Sequence, residues 1–157
     1  MRFCPKCATA LVDKVEEGRT RRACLKEGCG FIHYGNPLPV VAAIVEHEGA
    51  VILVRGQSWP EKMFGLVTGF LEAGESPEQG ALREVKEELS LDGEVVSLVG
   101  AYDFQMRNEL IVAFHVHATG TLKLGAELSA FKKIAVEKLR PWEFGTGLAV
   151  RDWLAKR

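Results

Sequence analysis

Two apolar runs near the middle of the chain predict a strand hairpin. Val40–Glu46 and Val51–Arg55 are rich in β-branched residues, and the short segment His47–Ala50 joins them. Three further strands are predicted from apolar or alternating stretches at residues 65–70, 95–103 and 109–119. The pattern of hydrophobic positions therefore indicates a sheet, interrupted by segments with a different period.

After residue 75 the hydrophobic positions follow a helical period. The segment Ser76–Gln79 supplies an N-cap serine, a proline at the first helical position and the glutamine of a capping box. We expect this helix to run to about Ser90, before the turn signal Asp92–Gly93. A second helix is predicted over Thr146–Lys156, where apolar residues recur at helical spacing. The expected fold class is therefore α/β (α+β) with a mixed sheet.

The first predicted helix has one apolar face and one acidic face. Glu84, Glu87 and Glu88 share the acidic arc, where like charges repel by about 0.2–0.5 kcal/mol per pair. Hard divalent cations such as Mg²⁺ or Mn²⁺ take carboxylate oxygens and would turn this repulsion into affinity. A solvated surface helix is the alternative interpretation, and the helix alone does not decide between them.

Composition limits the classes of protein to which the chain can belong. Its 157 residues are 47% hydrophobic and 26% charged, which fits one globular domain with a small appendage and excludes a disordered chain. The formal net charge of −1 provides no bulk positive field for nucleic acid. No apolar run reaches the roughly 20 residues of a membrane span, and no signal peptide is recognisable. We expect a cytoplasmic protein without membrane contact.

All four cysteines lie within the first 29 residues, at Cys4, Cys7, Cys24 and Cys29. Two close pairs are typical of a tetrahedral zinc site, whereas disulfides are disfavoured in a reducing compartment and four unconnected thiols remain the plain alternative. Four thiolates leave no open coordination position, so we expect a structural Zn²⁺ that takes no part in catalysis. The second pair encloses four residues where two are usual, and His33 is left out of the ligand set.

The breaker cluster Gly35–Pro39 indicates a domain boundary, which we place between a ribbon at residues 1–36 and a second domain at 37–157. The first 30 residues hold seven basic and four acidic side chains, and a Zn(Cys)₄ centre adds two negative charges. Charge alone therefore does not indicate nucleic-acid binding. We expect the ribbon to be a structural or dimer-forming element, with a homodimer as one outcome.

The residues around the acidic helix resemble a known family signature. Between residues 69 and 91 the chain follows the Nudix box G-x5-E-x7-R-E-U-x-E-E-x-G-U, in which U is aliphatic; Ser90 replaces the second glycine. The resemblance implies a Nudix hydrolase whose domain, residues 37–157, is an α/β/α sandwich with a mixed sheet. Such an enzyme would cleave a nucleoside diphosphate linked to another group. The matching positions are Gly69, Glu75, Arg83, Glu84, Val85, Glu87, Glu88 and Leu91.

The resemblance also implies roles for individual residues. Glu84, Glu87 and Glu88 would hold the catalytic Mg²⁺ or Mn²⁺, and the Gly69 carbonyl would be a further ligand. One of these carboxylates, or Glu127, would be the general base. For Glu127 a surface position after the preceding turn region is an equal alternative.

Two further box residues, Glu75 and Arg83, would pair to brace the loop against the helix. Among other residues, His115 and His117 fall on one face of a predicted strand and are interpreted as structural. Aromatic residues are candidates for stacking on a substrate ring, although aromatics are more often core. These candidates are Trp59, Phe64, Tyr102 and Phe104.

A four-cysteine ribbon directly before a Nudix domain resembles the NADH pyrophosphatases and their shorter zinc-ribbon relatives. The S-Q-P-W-P-F-P motif of the former has no counterpart, because the corresponding residues 101–108 read AYDFQMRN. The expected substrate is therefore a small nucleotide of the FAD, ADP-ribose or NAD(H) class. The alternative hypothesis is a hydrolase that removes RNA caps and uses the ribbon to contact RNA. A third hypothesis is a non-catalytic binding module.

Overall fold

The structure is a computed structural model that describes all residues, Met1–Arg157, in two compact units, Met1–Pro37 and Leu38–Arg157. The first unit is an antiparallel sheet of three strands in the order β1-β2-β3. Its hairpin turns at Glu17 and Gly18, both with positive φ, as a tight two-residue turn requires. These strands are β1 (Val12–Glu16), β2 (Arg19–Ala23) and β3 (Ile32–His33). The β1–β2 hairpin thus lies between the two cysteine pairs.

The second unit is a six-stranded mixed sheet with one helix on each face. The strand order is β7-β8-β4-β5-β9. The sixth strand, β6, lies off this path and pairs with β4. The β4–β8 pair is parallel, and the other pairs are antiparallel. The elements are β4 (Leu38–His47), β5 (Ala50–Gly56), β6 (Val67–Phe70), α1 (Pro77–Leu89), β7 (Asp92–Phe104), β8 (Glu109–Thr119), β9 (Leu128–Ala135) and α2 (Gly147–Ala155).

Alternation along the central strand β4 creates two cores. Val41, Ala43 and Val45 point to the side that packs against α1, while Ala42 and Ile44 point to the side that packs against α2. Both helices bury their apolar stripes on these faces. The predicted α/β/α sandwich with a mixed sheet is confirmed.

The start of α1 follows the sequence prediction closely. The Ser76 hydroxyl accepts a hydrogen bond from the Gln79 backbone N–H at 3.2 Å, and the Gln79 side-chain oxygen accepts one from the Ser76 N–H at 2.8 Å. The helix ends at Ser90, whose φ of 59° is left-handed. Because glycine adopts this conformation at the lowest cost, the Nudix pattern has Gly at this position.

One predicted turn was wrong, and one strand was not predicted. Asp92 and Gly93 were interpreted as a turn, but they begin β7 and pair with Thr119 and Ala118; the chain reverses at Ser90 instead. Strand β9 was not predicted, because this edge strand lacks a clean alternation. Neither helix is long and apolar enough to cross a membrane.

Candidate active site

The acidic face of α1 borders a cavity of about 500 Å³. Glu84, Glu87 and Glu88 reach it from the helix, Gly69 reaches it from β6, and Glu127 reaches it from the loop before β9. The structure thus brings together the three helix carboxylates and the more distant Glu127.

Backbone hydrogen bonds fix the loop that carries Glu127. The Gly125 N–H donates to the Glu88 carbonyl at 2.8 Å, and the Lys123 N–H donates to the Leu89 carbonyl at 2.9 Å, so the loop satisfies carbonyls at the helix C-terminus. The Gln57 N–H donates to the Glu127 carbonyl at 2.9 Å. These contacts hold Glu127 beside the helix.

Glu88 is the most strongly perturbed carboxyl of the cluster. Burial raises its pKa to about 8, and the charges of Glu84, Glu127 and Glu87 add to this shift. Its Oε2 atom is buried and has no hydrogen-bond partner. An unpartnered buried oxygen among like charges fits a hard divalent cation, because such a cation supplies both the missing contact and the missing charge.

Arg83 connects the acidic cluster to the loop before the helix. Its guanidinium donates to both carboxylate oxygens of Glu75 at 2.8 and 3.0 Å, and to Glu84 and Glu87 at 2.7 and 3.0 Å. It also donates to the Phe70 carbonyl at 3.0 Å. The Arg83 hydrogen bonds lower the pKa of Glu75 to about 2. A planar fork of five donors can make this set, whereas the single ammonium of lysine cannot.

Gly69 lies against the carboxylate of Glu84. A methyl group at position 69 would overlap that carboxylate, so the close approach requires glycine. Gly69 pairs with Val41 in the β6–β4 ladder, which fixes its backbone next to the cavity. The glycine of the signature therefore makes room for an acidic side chain.

A second cavity of about 310 Å³ adjoins the acidic one and is lined by aromatic rings. Val40, Thr68, Arg107 and Glu109 line both cavities. The predicted candidates Trp59, Phe64 and Phe104 line the aromatic cavity, and so do Trp142 and Phe144.

Some lining residues were missed, and one candidate lies elsewhere. Trp142 and Phe144 lie in the loop before α2, and Arg107 ends a short 3-10 helix, Gln105–Arg107. Neither segment carries a regular hydrophobic period, so only the fold shows that these residues line the cavities. Tyr102 does not line the cavity, because it packs in the core and its hydroxyl donates to Asp152 at 3.0 Å.

The four cysteines of the first unit converge on one point, and none forms a disulfide. The Cys4–Cys29, Cys7–Cys24 and Cys7–Cys29 sulfur pairs lie 3.6, 3.5 and 3.5 Å apart. Zn–S bonds of about 2.3 Å place tetrahedral sulfurs about 3.8 Å apart, so the arrangement fits a Zn(Cys)₄ site.

Comparison with known proteins identifies the family. The NUDIX domain model matches residues 36–152, about three quarters of the chain. The chain belongs to the Nudix family. It is a Nudix hydrolase, and enzymes of this family use divalent metal ions.

Several curated relatives of this Nudix hydrolase are named NAD-capped RNA hydrolases. NudC of Vibrio atlanticus is 30% identical over 124 residues, which cover 78% of this chain and 45% of NudC. NudC of Mycobacterium tuberculosis is 42% identical over 79 residues, or 49% of this chain and 25% of that protein. NUDT12 of Pongo abelii is 34% identical over 128 residues, which cover 76% of this chain and 27% of NUDT12. The chain thus spans less than half the length of these relatives.

Among solved structures, a Nudix hydrolase from Nitrosomonas europaea is similar over the whole chain. The TM-score is 0.83 at 26% sequence identity, and the match covers 100% of this chain and 92% of the Nitrosomonas chain. An ADP-ribose pyrophosphatase from Streptococcus suis has a TM-score of 0.63 at 21% identity over 77% of this chain and 92% of its own. The latter likeness shows the shared Nudix fold.

Proposed function

We propose that this Nudix hydrolase is a pyrophosphatase dependent on Mg²⁺ or Mn²⁺ that hydrolyses the diphosphate linkage of a dinucleotide or nucleotide-sugar. Its substrates would be of the FAD, ADP-ribose or NAD(H) class, and its products two phosphomonoesters. One observation carries the proposal: four carboxylates, one with an unpartnered buried oxygen, border a cavity that adjoins an aromatic cavity.

The metal site would use Glu84, Glu87 and Glu88, with the Gly69 carbonyl as a further ligand. A bound divalent cation would neutralise the diphosphate and lower the pKa of the attacking water. The carboxylate of Glu127, or one from the helix, would accept the proton from that water.

Other residues of the chain would position the substrate. Arg83 holds Glu84 and Glu87 and thereby sets the shape of the acidic cluster. Arg107 lines both cavities and would meet a phosphate oxygen where the diphosphate passes between them. Trp59, Phe104 and the neighbouring rings would take the base, flavin or nicotinamide ring of the substrate.

The first unit would serve this enzyme as a structural or dimer-forming element, with one structural Zn²⁺ held by the four cysteines. Light scattering of the protein in solution reports whether the chain forms a homodimer.

A second candidate is the removal of NAD caps from RNA. The names of the curated relatives favour it, and an NAD cap contains the same type of diphosphate linkage. The basic side chains of the first unit give only limited support to RNA binding. Arg22 pairs with Asp13 at 3.3 Å, and Arg21 donates to the Tyr34 carbonyl and stacks on its ring at 4.5 Å. We therefore place the small-molecule substrate first.

The deciding experiment incubates the protein and Mg²⁺ with FAD, NADH, NAD⁺, ADP-ribose, diadenosine polyphosphates and an NAD-capped oligoribonucleotide in ¹⁸O-labelled water. With FAD, NADH, NAD⁺ or ADP-ribose we expect two phosphomonoesters, with the label on one of them, and no free orthophosphate. FAD or ADP-ribose should be turned over at least as well as NADH.

Dominant release of orthophosphate from a nucleoside triphosphate would contradict the proposed reaction. A much larger kcat/KM for the capped oligoribonucleotide than for free NAD⁺ would replace the first candidate with the second. In that case cleavage should also fall as salt concentration rises, because phosphate contacts release counterions.

A further inference from the structure

A second group of metal-ligand side chains lies at the opposite end of β4 from the acidic cluster. Glu46 ends up beside His115 and His117 of β8, and one ligand atom from each lies within 4.8 Å of the other two. The sheet explains this placement. The parallel register pairs Glu46 with His117, and His115, two residues earlier, faces the same side.

This group, which we call the β4–β8 triad (Glu46, His115, His117), is separate from the active site. Its strand face is the one that packs against α2, because Glu46 continues the alternation of Ala42 and Ile44. Val41, beside Gly69 and on the other face, is five residues and therefore roughly 16 Å away along the strand.

The two separations between Glu46 and the histidines are close to those of a tetrahedral metal site. The Nε2 atoms of His115 and His117 lie 2.9 and 3.5 Å from the same oxygen of Glu46. Metal–ligand bonds of about 2.0–2.1 Å place two tetrahedral ligands about 3.3–3.4 Å apart, between these two values. The Glu46 oxygen would therefore need to move by only a few tenths of an ångström relative to each nitrogen.

The composition of the triad selects the class of ion. Two imidazoles and one carboxylate suit Zn²⁺, Ni²⁺, Co²⁺ or Cu²⁺, whereas Mg²⁺ prefers an all-oxygen set such as the acidic cluster. Two histidines spaced by one residue on a strand form a chelate that needs no backbone movement. His117 is exposed, so a fourth position remains open to water.

One cation of the chain already contacts the triad. The Arg157 guanidinium donates to both oxygens of Glu46 at 3.1 and 3.2 Å and stacks on the Trp153 ring at 4.5 Å. An ion bound to Glu46 would compete with this guanidinium, because both draw on the same carboxylate. Removing Arg157 should therefore tighten ion binding.

We propose that the β4–β8 triad is a third metal site of the chain, which binds one divalent transition-metal ion and joins β4 to β8 beside α2. This assignment goes beyond the structural interpretation of the two histidines. Because the ion would bind the folded chain, it would also raise the melting temperature.

The test is calorimetric titration with Ni²⁺ of protein whose cysteines are loaded with zinc, in excess Mg²⁺. The pH is about 7.5, because metal ions bind deprotonated ligands. We expect the wild type to bind Ni²⁺ and His117→Ala to bind it with at least about tenfold lower affinity. Loss of a supporting contact alone lowers metal affinity by about tenfold or more. His33→Ala, which removes a histidine of the first unit, is the matched control and should bind like the wild type.

Two further readouts keep the proposal falsifiable. Ni²⁺ should raise the melting temperature of the wild type and of His33→Ala more than that of His117→Ala. Arg157→Gln should bind Ni²⁺ more tightly than the wild type. Equal Ni²⁺ affinity in the wild type and His117→Ala would overturn the site, and unchanged or weaker binding in Arg157→Gln would contradict the shared use of Glu46.

Discussion

Glu75 and Arg83 form an ion pair at the edge of the acidic cluster. The pKa of Glu75 falls from an ordinary value near 4.5 to about 2 because Arg83 and the Glu72 backbone N–H hydrogen-bond to its carboxylate. A lowered pKa stabilises the fold above about pH 4.5, and this contribution is lost as the pH falls towards 2.

We therefore predict that the free energy of unfolding declines less steeply in Glu75→Gln than in the wild type between about pH 5 and pH 2. Urea unfolding at several pH values measures this slope. Glu78→Gln, an exposed glutamate of the first turn of α1, is the control and should keep the wild-type slope. Equal slopes in wild type and Glu75→Gln would show that the ion pair does not stabilise the fold.

Gly69 gives a second prediction for a single residue. In Gly69→Ala the new methyl group must push the Glu84 carboxylate away, and a side-chain end can rotate at little cost to the fold. We expect turnover to fall by about a hundredfold, because small displacements of catalytic groups have effects of that order. Stability should change little. Unaltered kinetics at limiting Mg²⁺ would contradict a role for the close approach of Gly69 and Glu84.

Residue spacing in the signature was enough to locate the acidic cluster. It placed Glu84, Glu87 and Glu88 on one helical face and named their neighbours Gly69, Glu75 and Arg83. Trp142, Phe144 and Arg107 could not be found in this way, because their position at the cavity depends on how separate loops fold over the sheet.

At the level of elements, the loop before β9 is fitted closely to the end of α1. A methyl group at Gly125 would overlap the backbone carbonyl of Glu87, and neither backbone can move freely. We predict that Gly125→Ala lowers the free energy of unfolding by about 1–3 kcal/mol, the usual cost of overpacking. Activity should also fall, because the same loop carries Glu127.

Chemical denaturation and steady-state kinetics check the Gly125→Ala prediction together. The matched comparison is Gly69→Ala, which should affect activity far more than stability. If Gly125→Ala were as stable and as active as the wild type, the loop would not position Glu127.

Several elements could be predicted from local pattern, and others could not. The β4–β5 hairpin and the capped start of α1 rest on signals within a few residues, namely β-branched runs and the Ser76–Gln79 capping box. Strand β9 and the start of β7 at Asp92 depend on pairing with distant partners in the sheet. Long-range pairing overrides local turn propensity at Asp92 and Gly93.

At the scale of the whole molecule, the first unit should depend on metal for its stability. Its buried hydrophobic residues are few and small, namely Cys4, Leu11, Ala23 and Cys24, so apolar burial contributes little. We predict about one tightly bound zinc per chain by elemental analysis, and loss of the first unit's structure when a strong chelator removes it. Protein purified without chelator that carries no zinc and has paired cysteines would contradict this.

The central claim is that the carboxylates of α1 bind the catalytic metal of a pyrophosphatase. The most direct measurement is turnover of a dinucleotide such as FAD, as a function of Mg²⁺ concentration, in the wild type, in Glu88→Gln and in the control Glu78→Gln. We predict that Glu88→Gln loses at least about a hundredfold in turnover, because the amide replaces a carboxylate that would bind the metal. Its fold should be as stable as the wild type, because glutamine keeps the size and the helix propensity of glutamate.

Glu78→Gln should respond to Mg²⁺ like the wild type, and EDTA should abolish the activity of both. Near-normal turnover of Glu88→Gln at limiting Mg²⁺, or wild-type turnover that persists in EDTA, would contradict the account.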